Sequence, residues 1–145
     1  MKQSAQHVRT FCNTTKITKD TKMEFDELSR RVLGCAIEVH RNLGPGLLES
    51  TYRQCLACEL SHAGIQFQME LPVPVRYKDV LLDCGYRIDL LVDRRLIVEI
   101  KSGEALLPIH QAQILTYMRL ANVALGLLVN FNVIKLQNGI KRFVL

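Results

Sequence analysis

The chain has 145 residues, of which 48% are hydrophobic and 23% charged, a composition typical of a globular domain with enough apolar residues to bury a core. No apolar run approaches the roughly 18 residues of a membrane span, and the polar start lacks the apolar region of a secretory signal. We therefore expect an intracellular, cytoplasmic protein. Five cysteines at irregular spacing do not form a disulfide framework. Cys55, Cys58 and His62 resemble part of a zinc site, but small apolar packing residues are the favoured interpretation of these cysteines.

The net charge of +5 lies mainly at the start of the chain. Residues 1–24 carry five Lys or Arg and two Asp or Glu, a net charge of +3, which leaves +2 for the rest of the chain. This segment lacks apolar periodicity and is predicted to be a disordered basic tail, which either binds nucleic acid through its charge or only keeps the protein soluble. Residues 25–145 are predicted to form a single domain.

Two amphipathic helices are predicted at the start of this domain. Apolar residues recur at spacings of three and four from Leu28 to Leu43, and the sequence "NLGPG" at 42–46 ends the first helix. The second helix is predicted from about Leu47 to His62. In it Glu49 shares a face with Tyr52 and the apolar residues beyond, which is an unusual position for a carboxylate.

The rest of the domain is predicted to consist of strands around one further helix. Three strands are predicted at residues 65–77, 80–92 and 95–102. A helix follows from Pro108 to about Asn122, because proline is favoured in a first helical turn. The continuous apolar run at 124–131 predicts a strand covered on both faces. Finally, the Asn138-Gly139 pair predicts a C-terminal β-hairpin of two strands.

Two of the central strands carry one carboxylate each, Asp89 and Glu99. A three-residue loop at 93–95 would pair Val92 with Leu96. Counting outward, Asp89 then lies directly opposite Glu99, with Cβ atoms about 5 Å apart, where like charges are destabilising. Two carboxylates and a nearby backbone carbonyl form a hard-oxygen site for Mg²⁺, which would compensate this repulsion.

Lys101 lies two residues beyond Glu99 and therefore projects from the same face of its strand. In that position it can hold a phosphate oxygen or orient a metal-bound water. The alternative is that both carboxylates are solvated strand-end charges and that Lys101 pairs with one of them. Because burial of unpaired charge is costly, three such residues within apolar strands favour a functional site.

The sequence "GYRIDLLVDRRLIVEIKS" resembles the catalytic core of the PD-(D/E)XK nuclease superfamily, with Asp89, Glu99 and Lys101 in the signature positions and Ile100 as the x. The superfamily name includes a Pro before the Asp, whereas Ile88 precedes Asp89 here; this Pro is frequently absent in the superfamily. The resemblance covers residues 26–145. It implies an α/β (α+β) fold with a restriction-endonuclease-like αβββαβ core, in which a central mixed sheet is flanked by helices.

Further stretches resemble one family within that superfamily, the GxxExxY proteins. "GLLESTY" supplies Gly46, Glu49 and Tyr52, and "LLPIHQAQILTYMRLANVALGLLVNFNV" is similar to the later half of that family. The resemblance implies that metal is bound by Asp89, Glu99 and the Ile100 carbonyl, with Glu49 as a further carboxylate, directly or through water.

A polar stripe of His110, Gln113 and Tyr117 lies on one face of the helix predicted after the Glu99 strand. Gln113 and Tyr117 resemble the Gln-xxx-Tyr motif of the exonuclease branch of the superfamily, which implies that they flank the site and help to place the nucleic-acid strand. His110 is a third candidate for substrate binding. The residues alone leave open a solvated helix face.

We therefore expect a Mg²⁺-dependent nuclease that hydrolyses phosphodiester bonds in DNA repair or defence, with Mn²⁺ able to substitute for Mg²⁺. Lys101 would stabilise the transition state. The expected partner is nucleic acid, DNA rather than RNA, and not a membrane, while a homodimer or a protein partner stays open. Two alternatives retain the fold without catalysis: a nucleic-acid-binding module and a protein-interaction domain.

Overall fold

The computed structural model describes residues 26–145, so the basic tail predicted for residues 1–24 lies outside the described residues. Within them the α-helices are α1 (Glu27–Leu43), α2 (Glu49–His62) and α3 (Pro108–Ala121). The strands are β1 (Phe67–Pro72), β2 (Val75–Tyr77), β3 (Val80–Leu82), β4 (Arg87–Val92), β5 (Leu96–Lys101), β6 (Leu125–Asn130) and β7 (Ile140–Val144). A short 3₁₀ helix, Leu136–Gly139, precedes β7.

The main sheet has five strands in the order β1-β4-β5-β6-β7. β5 and β6 are parallel, and every other neighbouring pair is antiparallel. α3 is the crossover that the parallel pair requires. The order α2, β1, β4, β5, α3, β6 confirms the predicted αβββαβ core with a mixed sheet.

Helices cover both faces of this sheet. On one face the first two helices bury residues such as Val32 and Leu56 against Leu90 and Val98. On the opposite face α3 buries Ile114 and other apolar residues against β5 and β6. None of the described helices is long and apolar enough to cross a membrane.

The first helix begins and ends where side-chain chemistry favours it. Asp26 is the N-cap, and its carboxylate accepts hydrogen bonds from the backbone N–H and the hydroxyl of Ser29. Gly44 ends the helix at a φ of 67°, and its N–H donates to the His40 carbonyl. The predicted boundaries of all three helices agree with the structure to within about three residues.

The segments predicted as single strands at 65–77 and 80–92 are each divided in two. β2 and β3 form a separate two-stranded sheet, and the turn after β3 leads into β4. In this turn the Asp83 carboxylate accepts a hydrogen bond from the Gly85 N–H, and Gly85 has a φ of 77°. The continuous strand at 80–92 was therefore wrong because aspartate and glycine favour a turn here over the β propensity of the flanking apolar residues.

The C-terminal hairpin around Asn138-Gly139 was also wrong. These two residues belong to the 3₁₀ helix, and β7 pairs with β6 rather than with the residues before the turn. Burial explains the difference: Leu136 is only 5% exposed and packs into the core beside α1 and α2. Burial of this leucine outweighs the local preference of Asn-Gly for a two-residue turn.

Gly139 provides a stability test of this C-terminal packing. A Cβ atom at Gly139 would overlap the carbonyl oxygen of Asn130, so Gly139→Ala should lower the free energy of unfolding by about 1–3 kcal/mol. Gly34→Ala is the control, because Gly34 lies in α1 with open space around it and should gain about 0.5–1 kcal/mol from helix propensity. Urea unfolding measures both changes. Equal effects of the two substitutions would contradict the packing described here.

Candidate metal-binding active site

The antiparallel strands β4 and β5 bring the two predicted carboxylates together. Val92 pairs with Leu96, as the predicted three-residue loop requires, and the ladder continues to Leu90 and Val98. One step further, the same register puts Asp89 opposite Glu99, but regular pairing stops there. The carboxylates therefore lie where the two strands separate.

Each carboxylate binds a backbone N–H group of the opposite strand. The Asp89 N–H donates to Glu99 Oε1 at 3.0 Å, and the Ile100 N–H donates to Asp89 Oδ2 at 2.8 Å. These bonds continue the connection between the strands through side chains instead of carbonyl groups. Because both carboxylates are held by backbone groups, their positions are fixed by the sheet itself.

β1 is irregular at the same row of the sheet. Glu70 would lie opposite Asp89, but it has a φ of 53° and is absent from the ladder, whose pairs Met69–Leu90 and Leu71–Ile88 flank it. The first of these pairs packs beneath α1 and α2, whereas the second packs beneath α3. Both strands thus change face at this row, which interrupts the pairing where the acidic residues lie.

Burial and proximity make it unfavourable for both carboxylates to be ionised. Burial and the nearby Asp89 carboxylate raise the pKa of Glu99 from its usual 4.5 to about 8. Burial also raises the pKa of Asp89, while the Ile100 N–H and the Arg53 guanidinium oppose this rise. The metal-free pair therefore retains a proton at neutral pH.

Two close carboxylates of this kind would be stabilised by a divalent cation, and Ile100, whose carbonyl was predicted as a ligand, directly follows Glu99 in β5. Among residues 26–145, no three His, Cys, Asp or Glu side chains are close enough together to hold a metal ion. Asp89 and Glu99 thus form a two-carboxylate site without an assembled third acidic ligand. The Cys55–Cys58–His62 pattern likewise does not assemble a zinc site.

Glu49 connects the start of α2 to the end of β5. Its Oε2 accepts the Ser102 N–H at 3.2 Å, and the Ser102 hydroxyl donates to the Leu47 carbonyl at 2.5 Å. Glu49 is exposed. Burial is the main cause of the raised pKa of Asp89, and the negative charge of Glu49 raises it further. Glu49 is therefore near the carboxylate pair electrostatically, but its observed bond is to the backbone.

Tyr52 holds the loop that precedes α2. Its hydroxyl donates to the Gly44 carbonyl and accepts the Leu47 N–H, and its ring stacks on Phe131 at 4.5 Å between centroids. Gly46 in this loop has a φ of 99°, which an L side chain rarely adopts. The glycine, glutamate and tyrosine of "GLLESTY" thus fix the start of α2 beside the end of β5.

Lys101, Gln113 and Tyr117 form a hydrogen-bonded chain beside the carboxylates. Lys101 Nζ donates to Gln113 Oε1 at 3.1 Å, and Gln113 Nε2 donates to the Tyr117 hydroxyl at 3.2 Å. Burial raises the pKa of Tyr117, so its hydroxyl stays protonated at neutral pH. β5 and α3 therefore meet at the site through these three predicted residues.

His110 has a different environment from the other two residues of the stripe. Its Nδ1 accepts the Leu107 N–H at 3.0 Å, which satisfies a backbone donor at the start of α3. Within the described residues, no hydrogen bond joins His110 to Lys101, Gln113 or Tyr117. The observed role of His110 is thus in helix capping, and its role in substrate binding stays a prediction.

Arg53 is a site residue that the sequence analysis missed. Its guanidinium forms ion pairs with Asp89 Oδ1 at 3.2 Å and with Glu70 Oε1 at 2.9 Å, and its side chain is only 16% exposed. One feature of the sequence could have indicated Arg53: it lies four residues after Glu49 and therefore on the same face of α2.

Comparison with known protein families shows the superfamily of this chain. A family model of the PD-(D/E)XK nuclease superfamily matches residues 26–143. The chain belongs to the PD-(D/E)XK nuclease superfamily. No curated protein and no solved structure matches the chain.

The raised pKa of Glu99 predicts a pH dependence of stability in the metal-free protein. Between pH 4.5 and about 8 the folded state binds a proton that the unfolded state releases, so the free energy of unfolding falls as pH rises through this range. Glu99→Gln should remove that decrease, which is on the order of a few kcal/mol. Urea unfolding in EDTA at several pH values measures it.

Glu104→Gln is the matched control, because Glu104 is an exposed glutamate outside the carboxylate pair. This variant should keep the wild-type pH profile. If Glu99→Gln and wild type show parallel profiles, Glu99 does not carry the retained proton.

Proposed function

We propose that this protein is a Mg²⁺-dependent nuclease of the GxxExxY group that hydrolyses phosphodiester bonds, and that Mn²⁺ can replace Mg²⁺. The observation that carries the proposal is the Asp89–Glu99 pair: Glu99 is buried and Asp89 half-buried, backbone N–H groups hold both carboxylates, and Lys101 lies alongside. Superfamily membership supports a nuclease-like function. The cytoplasmic location expected from the sequence stays a prediction.

Asp89, Glu99 and the Ile100 carbonyl would hold the ion, and Glu49 would contribute through water or after release of the Ser102 N–H. When bound, the ion lowers the pKa of an attacking water and neutralises charge on the phosphate. Support for this ligand set comes from the two raised pKa values, since a nearby cation would favour ionisation of both carboxyl groups.

Lys101 would bind a phosphate oxygen and stabilise the negative charge that develops there. One of its ammonium protons is directed to Gln113, which leaves two donors for the substrate. Gln113 and Tyr117 would orient Lys101 and contact the nucleic-acid strand, and His110 would contact that strand near the start of α3. We propose DNA rather than RNA as the substrate.

A non-catalytic interaction domain is the second candidate function. The observation that favours it is the β2–β3 hairpin, where Tyr77, Val80 and Leu81 are 53–61% exposed. Exposed apolar side chains in a group are typical of contact surfaces between proteins. A homodimer or another protein partner would then cover the hairpin, and the carboxylate pair would serve structure.

The test of the nuclease function separates metal binding from chemistry. Mg²⁺ or Mn²⁺ at a hundredfold excess over Kd should stabilise the fold by about 2.7 kcal/mol and so raise the Tm. Asp89→Asn and Glu99→Gln should reduce this rise, because each removes a ligand charge. Lys101→Ala should keep the rise and lower cleavage about 10²–10³-fold.

Cleavage is measured on single- and double-stranded DNA and RNA with Mg²⁺, Mn²⁺ or EDTA. Lys141 is exposed, so Lys141→Ala serves as the matched control for Lys101→Ala, and this variant should cleave like wild type. If wild type cleaves none of these substrates and its Tm does not respond to either ion, the interaction domain becomes the better proposal.

Glu49→Gln tests the further carboxylate. Glutamine keeps an oxygen that can accept the Ser102 N–H, so the contact between α2 and β5 should persist while the negative charge is lost. We expect about two- to fivefold weaker Mn²⁺ binding by calorimetric titration. Unchanged affinity would limit Glu49 to its contact with the backbone.

A further inference from the structure

The Arg53 side chain joins two acidic residues of different strands across the edge of the site. Its Nη1 lies 3.2 Å from Asp89 Oδ1, and its Nη2 lies 2.9 Å from Glu70 Oε1. The fork of the guanidinium lets it bind two carboxylates at once. Its Nε is buried and has no hydrogen-bond partner in the described residues, so the two ion pairs are its observed polar contacts.

Both oxygens of Asp89 are occupied in this arrangement. Oδ2 accepts the Ile100 N–H, and Oδ1 accepts Arg53 Nη1. The backbone bond is part of the connection between β4 and β5 and is the harder of the two to give up. An ion that binds Asp89 through Oδ1 must therefore share this oxygen with the guanidinium or displace it.

Glu70 can retain the guanidinium after such a displacement. It lies in the same row as Asp89 on the neighbouring strand, and its side chain is 55% exposed. Because the Glu70 side chain extends largely into solvent, its ion pair with Arg53 leaves Asp89 and Glu99 free to bind a metal ion. Of the two carboxylate partners of Arg53, Asp89 would therefore also bind the metal ion, and Glu70 would not.

We propose that Arg53 is an internal competitor of the metal ion: it neutralises Asp89 in the metal-free protein, and when the ion binds it releases Asp89 and stays paired with Glu70. This inference rests on the metal-dependent function proposed above. Repulsion between the guanidinium and the ion lowers metal affinity. In return, Arg53 provides positive charge for the half-buried Asp89 carboxylate, which would otherwise destabilise the metal-free fold.

The proposal predicts opposite effects for the two partners of the ion pair. Arg53→Met removes the competing charge and should tighten Mn²⁺ binding about fivefold, while the Tm in EDTA falls. Arg53→Lys keeps the charge and should bind Mn²⁺ like wild type. Glu70→Gln leaves Arg53 with Asp89 as its sole carboxylate partner and should weaken Mn²⁺ binding about two- to threefold.

The experiment is calorimetric titration of the full chain with MnCl₂, supported by melting curves in EDTA. The double variant Arg53→Met/Glu70→Gln separates competition from a general effect of charge. If Glu70 acts through Arg53, Glu70→Gln has no effect in the Arg53→Met background. If Glu70→Gln keeps its full effect in that background, Glu70 does not act by retaining Arg53, and this part of the proposal is overturned.

The outcomes distinguish this inference from the proposed function. If wild type binds Mn²⁺ and Arg53→Met binds it equally or more weakly, Arg53 does not compete with the ion, although the metal site stands. If wild type binds no Mn²⁺, the metal-dependent function fails and the inference with it. If Arg53→Met does not fold, the Mn²⁺ affinity of Glu70→Gln tests the proposal instead. Unchanged or tighter Mn²⁺ binding by Glu70→Gln overturns it.

Discussion

The rest of the site depends on two hydrogen bonds, in which the Glu99 carboxylate accepts the Asp89 N–H and the Asp89 carboxylate accepts the Ile100 N–H. Two like charges in adjacent positions of a sheet repel each other, and nothing in an ordinary ladder compensates for that. Here each carboxylate satisfies a backbone donor of the opposite strand, so their positions are part of the sheet. The repulsion between them remains and favours the retention of a proton by the pair, which a bound cation would displace.

The three helices contribute different components to this centre. The start of α2 reaches the end of β5 through Glu49, and one turn later the same helix supplies Arg53. α3 lies on the opposite face and holds the ammonium group of Lys101 through Gln113. β5 lies between the two core layers and supplies Glu99 and Lys101. A shift of α2 or α3 relative to β5 would therefore change the distances between the charged groups of the site.

The sequence was sufficient where local periodicity and chemistry agree. Strand alternation and a short loop predicted that Asp89 lies across from Glu99, and helical spacing predicted the shared face of Gln113 and Tyr117. It was insufficient where tertiary contacts outweigh local preference. Asn138-Gly139 favours a tight turn, but burial of Leu136 decides the path of the chain. Pairing across three elements, as between Arg53 and its carboxylates, has no signature in one sequence because the partners are distant in the chain.

The positive φ of Glu70 also affects how the sheet meets other molecules. β1 is an edge strand, and an edge strand with regular geometry offers unpaired N–H and C=O groups to any passing β-strand. At Glu70 the backbone turns out of the extended conformation and carries a charge at the middle of this edge, and Pro72 lacks an N–H group at its end. The irregularity that accompanies the acidic row therefore also protects the protein against aggregation through its open edge.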